Sequence, residues 1–338
     1  MNKNKQSTLI LLLLMIFLLS SNIAAQGIEP ADIERVGQSG WQFLKITGDA
    51  RIAGMGGAYV AASEANSAAA FGNPAALSGV KNMDISLSHI SWIADINIQT
   101  LAFAKTFGSL GTFGVSLVYV DYGDMYETIN SVVDGEDRTS QVVTGNTFTA
   151  SDLAIGLTYS RRVTDKLSIG GSIKYIREDL ADFNMSNVSF DFGTVYYTGF
   201  KSLRVAMTAR NFGPDVQLVG WSEEYESEAD DIKMPIDFRI GVAMDFFDGP
   251  DSPHKLTVSL EGDHPNDAPE KVHLGAEYSF TDAFFLRSGY KFNYDEEGFT
   301  VGAGLRYKVY QYMGTFNYSY VDFGNLNKVH MIQLGIAI

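Results

Sequence analysis

The chain contains no cysteine. Disulfides, thiolate zinc sites and cysteine nucleophiles are therefore excluded. Histidine is scarce too: His89, His254, His264, His273 and His330 are scattered, with no pair at metal-ligand spacing. No metal and no cofactor are expected. Basic side chains are outnumbered, 25 Lys and Arg against 40 Asp and Glu, for a formal charge of −15. Such a chain repels nucleic acid. There is no G-x-S-x-G elbow. Gly54-Met55-Gly56-Gly57 is not a dinucleotide fingerprint, because Tyr59 occupies its last position and no strand precedes it. With no nucleophile–base pair in view, a non-enzymatic protein is expected. Long apolar runs are also missing beyond the N-terminus. A membrane location would then require a closed barrel, since only helices and closed barrels satisfy every backbone polar group in lipid.

The N-terminus reads as an address. Lys3 and Lys5 precede an apolar run from Leu9 to Leu19, and small residues follow at Ala24 and Ala25. That order marks a secretory signal peptide over 1–25, and the run is too short for a spanning helix, which needs about 20 residues. Cleavage near Ala25 would start the mature chain around Gln26.

From Asp84 onward the dominant period is two. Leu153, Ile155, Leu157 and Tyr159 alternate with Ala154, Gly156, Thr158 and Ser160; Phe238, Ile240, Val242 and Met244 alternate with Arg239, Gly241, Ala243 and Asp245. One face is apolar and the other mixes glycine, small polar residues and full charges, as in an outer-membrane barrel with lipid outside and a polar lumen. The periodicity predicts strands near 84–93, 95–107, 111–121, 149–162, 166–178, 184–199, 202–212, 233–247, 254–263, 270–280, 283–292, 297–309, 311–322 and 327–338. Short links at 108–110, 163–165, 200–201, 281–282 and 310 fall on one side; long loops at 122–148 and 213–232 fall on the other. Turns in the periplasm and loops outside are the barrel rule. The expected fold is an all-β transmembrane, ~14-stranded antiparallel barrel in the cell outer membrane of a Gram-negative bacterium.

Residues 48–79 are rich in Gly and Ala and precede the first strand. Such a segment can pack its backbone against a barrel wall, and Gly supplies turns other residues cannot. Residues 26–82 are therefore expected to form a periplasmic lead-in and lumen plug, and 83–338 the barrel. The pattern Gly54, Gly56, Gly57, Ala58, Ala61, then Glu64, then Asn73-Pro74-Ala75 and Leu77, followed by the strands, resembles the FadL-type (long-chain fatty-acid transporter) superfamily. Ala50-Arg51 and Met55 make it closer to the PorV/PorQ branch of the type IX secretion system. The resemblance implies a shuttle that receives secreted cargo by its C-terminal signal domain and hands it on with other secretion components. For FadL-type relatives it implies admission of a hydrophobic ligand. The chain ends Ile336-Ala337-Ile338 rather than in the aromatic residue of many outer-membrane barrels.

Three groups of residues are candidates for function beyond the plug motif (Gly54, Gly56, Gly57, Asn73, Pro74, Ala75). Trp221, Glu223, Glu224, Tyr225 and Glu226 lie in an acidic loop, and Tyr122, Met125 and Tyr126 in a second one; each is a partner-binding lip or a solvated loop. Arg239, Arg287, Lys291 and Arg306 sit on the polar face of later strands, with Asp237, Asp245, Glu261, Glu277 and Lys308. They are expected either to form ion pairs among themselves and to the plug or to select an anionic ligand. Asp263, His264 and Asp267 could hold a cation weakly, or simply form a polar loop.

Overall fold

The computed structural model describes residues 37–338 except 133–138, 182, 218–220, 223–226, 229–230 and 250–251. Fourteen strands form one closed antiparallel barrel. They are β1 (Met83–Ser91), β2 (Asn97–Thr106), β3 (Thr112–Val132), β4 (Thr139–Arg162), β5 (Leu167–Leu180), β6 (Phe183–Tyr197), β7 (Arg204–Phe212), β8 (Asp237–Phe246), β9 (His254–Pro265), β10 (Lys271–Phe280), β11 (Phe284–Phe292), β12 (Phe299–Val309), β13 (Tyr312–Asp322) and β14 (Lys328–Ala337). Each pairs with the next, and β14 closes on β1 from Asp84↔Ala337 to Ser91↔His330. Closure leaves no unpaired edge within the wall.

The alternation is physical as well as sequential. Ile155, Leu157 and Tyr159 face outward and are exposed, while Ala154, Thr158 and Ser160 between them are buried inside. The same holds for exposed Phe238, Ile240 and Val242 against buried Arg239 and Ala243. No described helix is long and apolar enough to cross a membrane; the strands do so instead.

One expectation changes. Outside residues 133–138, the segment 122–148 is not an open loop. β3 continues to Val132 and β4 begins at Thr139, so Tyr122, Met125 and Tyr126 lie on a strand. The hydrogen-bonding pattern carries on past Asp121, through register shifts at Asp121/Asp124 and Tyr126/Thr128, because Thr and Val on both arms favour extended pairing. Residues 26–36 of the expected lead-in lie outside the described residues. Ser39 and Gly40 meet Lys233, and Ser39, Gln42 and Lys45 all donate to Asp267. Asp267 follows β9 at the end where the long connections are, so Ser39 to Lys45 lie at the loop end. The chain then runs through the lumen to the turn end, where Thr106 Oγ1 donates to Val80 O and β1 starts.

Candidate functional site

The lumen has two floors, set by what the inner segment brings to the wall. The lower floor is solid. Asp49 caps the short helix α1 (Ala50–Gly54) by accepting from Arg51 N at 2.9 Å. Gly56 and Gly57 then turn with φ of +67° and +76°, which L side chains rarely adopt. A Cβ on Gly56 would stand 2.8 Å from Tyr290 N and 2.9 Å from Leu274 O, and one on Gly54 3.0 Å from Gly302 Cα. The contacts are backbone on backbone, and the wall answers with its own glycines, Gly275 and Gly289 over Met55 and Gly56. Further down, Gly170 and Gly193 accommodate Asn73-Pro74-Ala75. Asn73 accepts from Ala75 N at 3.0 Å and donates to Val60 O at 2.8 Å. The six plug-motif residues thus all touch the wall or brace the segment.

Charges lock the two together. Arg51 holds Glu277 through two bonds of 2.8 Å, and Arg287 Nε donates to the same carboxylate at 2.6 Å. Arg239 binds Asp237 (2.8 Å), Glu261 (3.2 Å) and Asp263 (3.0 Å), and its guanidinium lies 4.9 Å from the centre of the Tyr59 ring. Glu261 in turn accepts from Val60 N at 2.7 Å. Lys291 pairs with Glu297 and Arg306 with Glu64 of the inner segment. Asp245 meets Arg204 at 3.0 Å, whereas Lys308 stands exposed at the end of β12. The four basic residues singled out in the sequence therefore do not form one ring; each is spent on its own carboxylates. Arg51 was not among them. Apart from its place in the family resemblance, its sequence signal was that it is the one basic residue inside the Gly/Ala stretch, and such a charge has to find a partner once buried.

The upper floor is hollow. A cavity of about 580 Å3 opens there, within the usual range for small-molecule sites. Ile90, Ile98, Val120, Val321, Val329 and Met331 give it an apolar wall, and Trp92 packs edge-on against Phe323 at 5.0 Å. Lys271, Lys291, His273 and Tyr294 line the opposite side, with Lys271 Nζ 4.0 Å from the centre of the Tyr294 ring. The apolar residues sit on the inward face, where lower positions of the same strands carry Ser86, Ser88, Thr100 and Gln333. Sequence reading missed this switch; the signal was local loss of alternation, as in Val118-Tyr119-Val120.

Asp267 lies outside the strands, on the connection after β9. Burial pushes its carboxyl up, but hydrogen bonds from Lys45, Ser39 and Gln42 outweigh this and hold it below the usual aspartate range. Asp263 faces the lumen, while His264 turns out to Glu270 at 3.2 Å. The three do not converge, and no group among the described residues could hold a metal.

Tyr122, Met125 and Tyr126 mark the start of the β3–β4 hairpin that stands beyond β2 and β5. β2 stops pairing at Asn97↔Asp121, and β5 at Ala150↔Leu180. Past those points neither outer edge of the hairpin has a neighbouring strand among the described residues. Tyr126 is 71 % exposed, and Ile129, Val142 and Val143 are also exposed. Of the acidic loop, Glu223, Glu224, Tyr225 and Glu226 lie outside the described residues. Trp221 and Ser222 form a two-residue ribbon with Ser227 and Glu228, and Val216–Gln217 pairs with Asp231–Ile232.

Comparison with solved structures returns outer-membrane transporters of the same architecture. The toluene transporter TbuX of Ralstonia pickettii is 13 % identical with a TM-score of 0.54, covering 85 % of this chain and 96 % of its own. The toluene transporter TodX of Pseudomonas putida is 12 % identical with a TM-score of 0.55 and the same coverages. A FadL homologue of Pseudomonas aeruginosa is 13 % identical with a TM-score of 0.51, covering 85 % and 97 %. At such identities the likeness is one of fold. Comparison with curated proteins returns no match. A sequence profile described as type IX secretion system protein PorV matches residues 29–264. The barrel with its internal N-terminal segment and this match together place the protein in the outer membrane, and the chain belongs to the PorV family of the type IX secretion system.

Proposed function

We propose that the protein binds secreted cargo at its loop end and hands it on to other components of the type IX secretion system. The observation that carries this reading is the β3–β4 hairpin. It projects past its neighbours, its outer edges lack strand partners among the described residues, and it exposes Tyr126, Ile129, Val142 and Val143. Unpaired strand edges recruit extended segments, and exposed aromatics anchor interfaces. The solid lower floor supports the same reading, since binding at the loop end needs no open pore. Replacing 123–148 with a short turn should abolish retention of proteins bearing C-terminal signal domains, while heat-modifiable migration on gels still reports a folded barrel. Unchanged retention would overturn the proposal.

A second reading rests on the cavity. Its apolar wall and Lys271, whose ammonium stands over the Tyr294 ring, suit a hydrophobic molecule with an acidic end, and the relatives in fold include toluene transporters. Filling the cavity by Val329→Trp should then abolish binding of a long-chain fatty acid without disturbing cargo retention; unchanged fatty-acid binding would count against it.

A further inference from the structure

Most inward carboxylates on the lumen face are paired with a basic side chain. Asp191 meets Lys174 at 2.9 Å; Asp237, Glu261 and Asp263 meet Arg239; Glu277 meets Arg51 and Arg287. Asp84 has no basic partner but accepts from both the backbone N–H and the hydroxyl of Ser67. Asp152 differs. It is 2 % exposed, Tyr122 donates to its Oδ2 at 2.6 Å, and its Oδ1 has no hydrogen-bond partner. Asp263 also leaves one oxygen unpaired, but its other oxygen holds Arg239. Directly across the ladder from Asp152, on the same inward face, stands a second carboxylate, Glu178. Among the described residues no Lys or Arg forms an ion pair with either group; the neighbouring Arg177 is bound to Asp179 instead.

Two like charges opposite one another in a ladder repel, and a buried acceptor without a donor costs about 1–3 kcal/mol. A cation between them removes both penalties. The pair sits at the top of the barrel, where β4 leaves the wall to form the hairpin, and Tyr122 lines the cavity mouth. Glu178 is only part-buried, which gives access from the loop end. Elsewhere in this lumen Asp191, Asp237, Asp245, Glu261, Asp263 and Glu277 are each answered by an ammonium or a guanidinium.

We propose that Asp152 and Glu178, braced by Tyr122, form a receptor for a Lys or Arg side chain of a docking protein. The inference rests on the cargo-binding reading above and names the chemistry that this reading needs at the hairpin base.

The test has two arms, both on the full chain purified in detergent. The first reads the site alone. n-Butylammonium and n-butylguanidinium chloride should raise the melting temperature of the wild type above sodium chloride at matched ionic strength, and should not do so in D152N/E178Q. Y122F, which keeps both carboxylates, should retain the response. The second arm captures signal-domain proteins from detergent extracts, where D152N/E178Q should lose at least about tenfold in retention. A response to calcium chloride alone would make this a metal site and overturn the proposal. So would no response to any cation, or full capture by D152N/E178Q. If the wild type captures no signal-domain protein, the cargo reading fails, and a positive first arm still establishes the cation receptor. Should D152N/E178Q not fold, D152N alone carries both arms.

Discussion

The lower and upper lumen are built from the same strands yet solve burial in opposite ways. Below, backbone meets backbone through glycine on both sides, and every intruding charge is matched. Above, a space of about 580 Å3 that no described residue fills is lined by branched apolar side chains together with charged groups such as Asp237, Arg239, Lys271 and Lys291. Packing density in the first case leaves no freedom to substitute, whereas in the second a side chain borders emptiness on one side. The difference teaches that the two floors do different jobs: one fastens the inner segment, the other leaves room.

Substitutions can break that contrast from either side. The largest effect should come from Gly56→Val, which demands a left-handed backbone of a β-branched residue and drives its side chain into Tyr290 and Leu274 main chain. We expect no folded barrel in the outer membrane, read as loss of heat-modifiable migration. Arg51→Met should come next. It leaves Glu277 with Arg287 only, and breaking a buried pair costs about 3–5 kcal/mol; Arg177→Met, at an exposed pair with Asp179 that solvent screens, should cost far less. Thermal unfolding of the two variants in detergent sharpens the comparison, and equal losses would refute it. Met331→Ala in the upper floor should fall near or below the low end of the usual range of about 2–5 kcal/mol, because its side chain already borders the cavity.

The smallest effect concerns Asp267. Its carboxyl is held below the ordinary aspartate range, so its contribution is complete above about pH 4 and is lost as pH falls through the lower folded value. The protection of residues 39–45 from hydrogen exchange, relative to the intrinsic rate at each pH, should fall on acidification in the wild type and be low at neutral pH in Asp267→Asn. Wild-type protection that does not change with pH would show that Asp267 does not fasten residues 39–45.

Much of the barrel was legible in the sequence because a period of two has one meaning when one face touches lipid. Each of the fourteen predicted strands overlaps an observed one, and the polar-face position of Arg239, Arg287, Lys291 and Arg306 follows from parity alone. What each charge pairs with was not legible. Arg51 reaches Glu277 across 226 residues, a relation no local pattern encodes. The hairpin was misread as a loop because Gly123, Gly145 and scattered acids interrupt its alternation, and pairing tolerates the interruption through its two register shifts. The hollow upper floor was hidden because its inward Ile90, Ile98 and Val120 look like ordinary strand residues until the opposite wall is known.

The path of the inner segment constrains the order of assembly. Its Ser39 end is tied at the outer mouth and its Val80 end at the inner rim, joined directly to β1. The seam between β1 and β14 is where the first and last strands meet. A ring that sealed first would have to draw Tyr59, Phe71 and Arg51 in through its inner rim before they could meet their partners on the wall. If β14 meets β1 only after the segment is seated, that threading is avoided, and closure of the seam traps it.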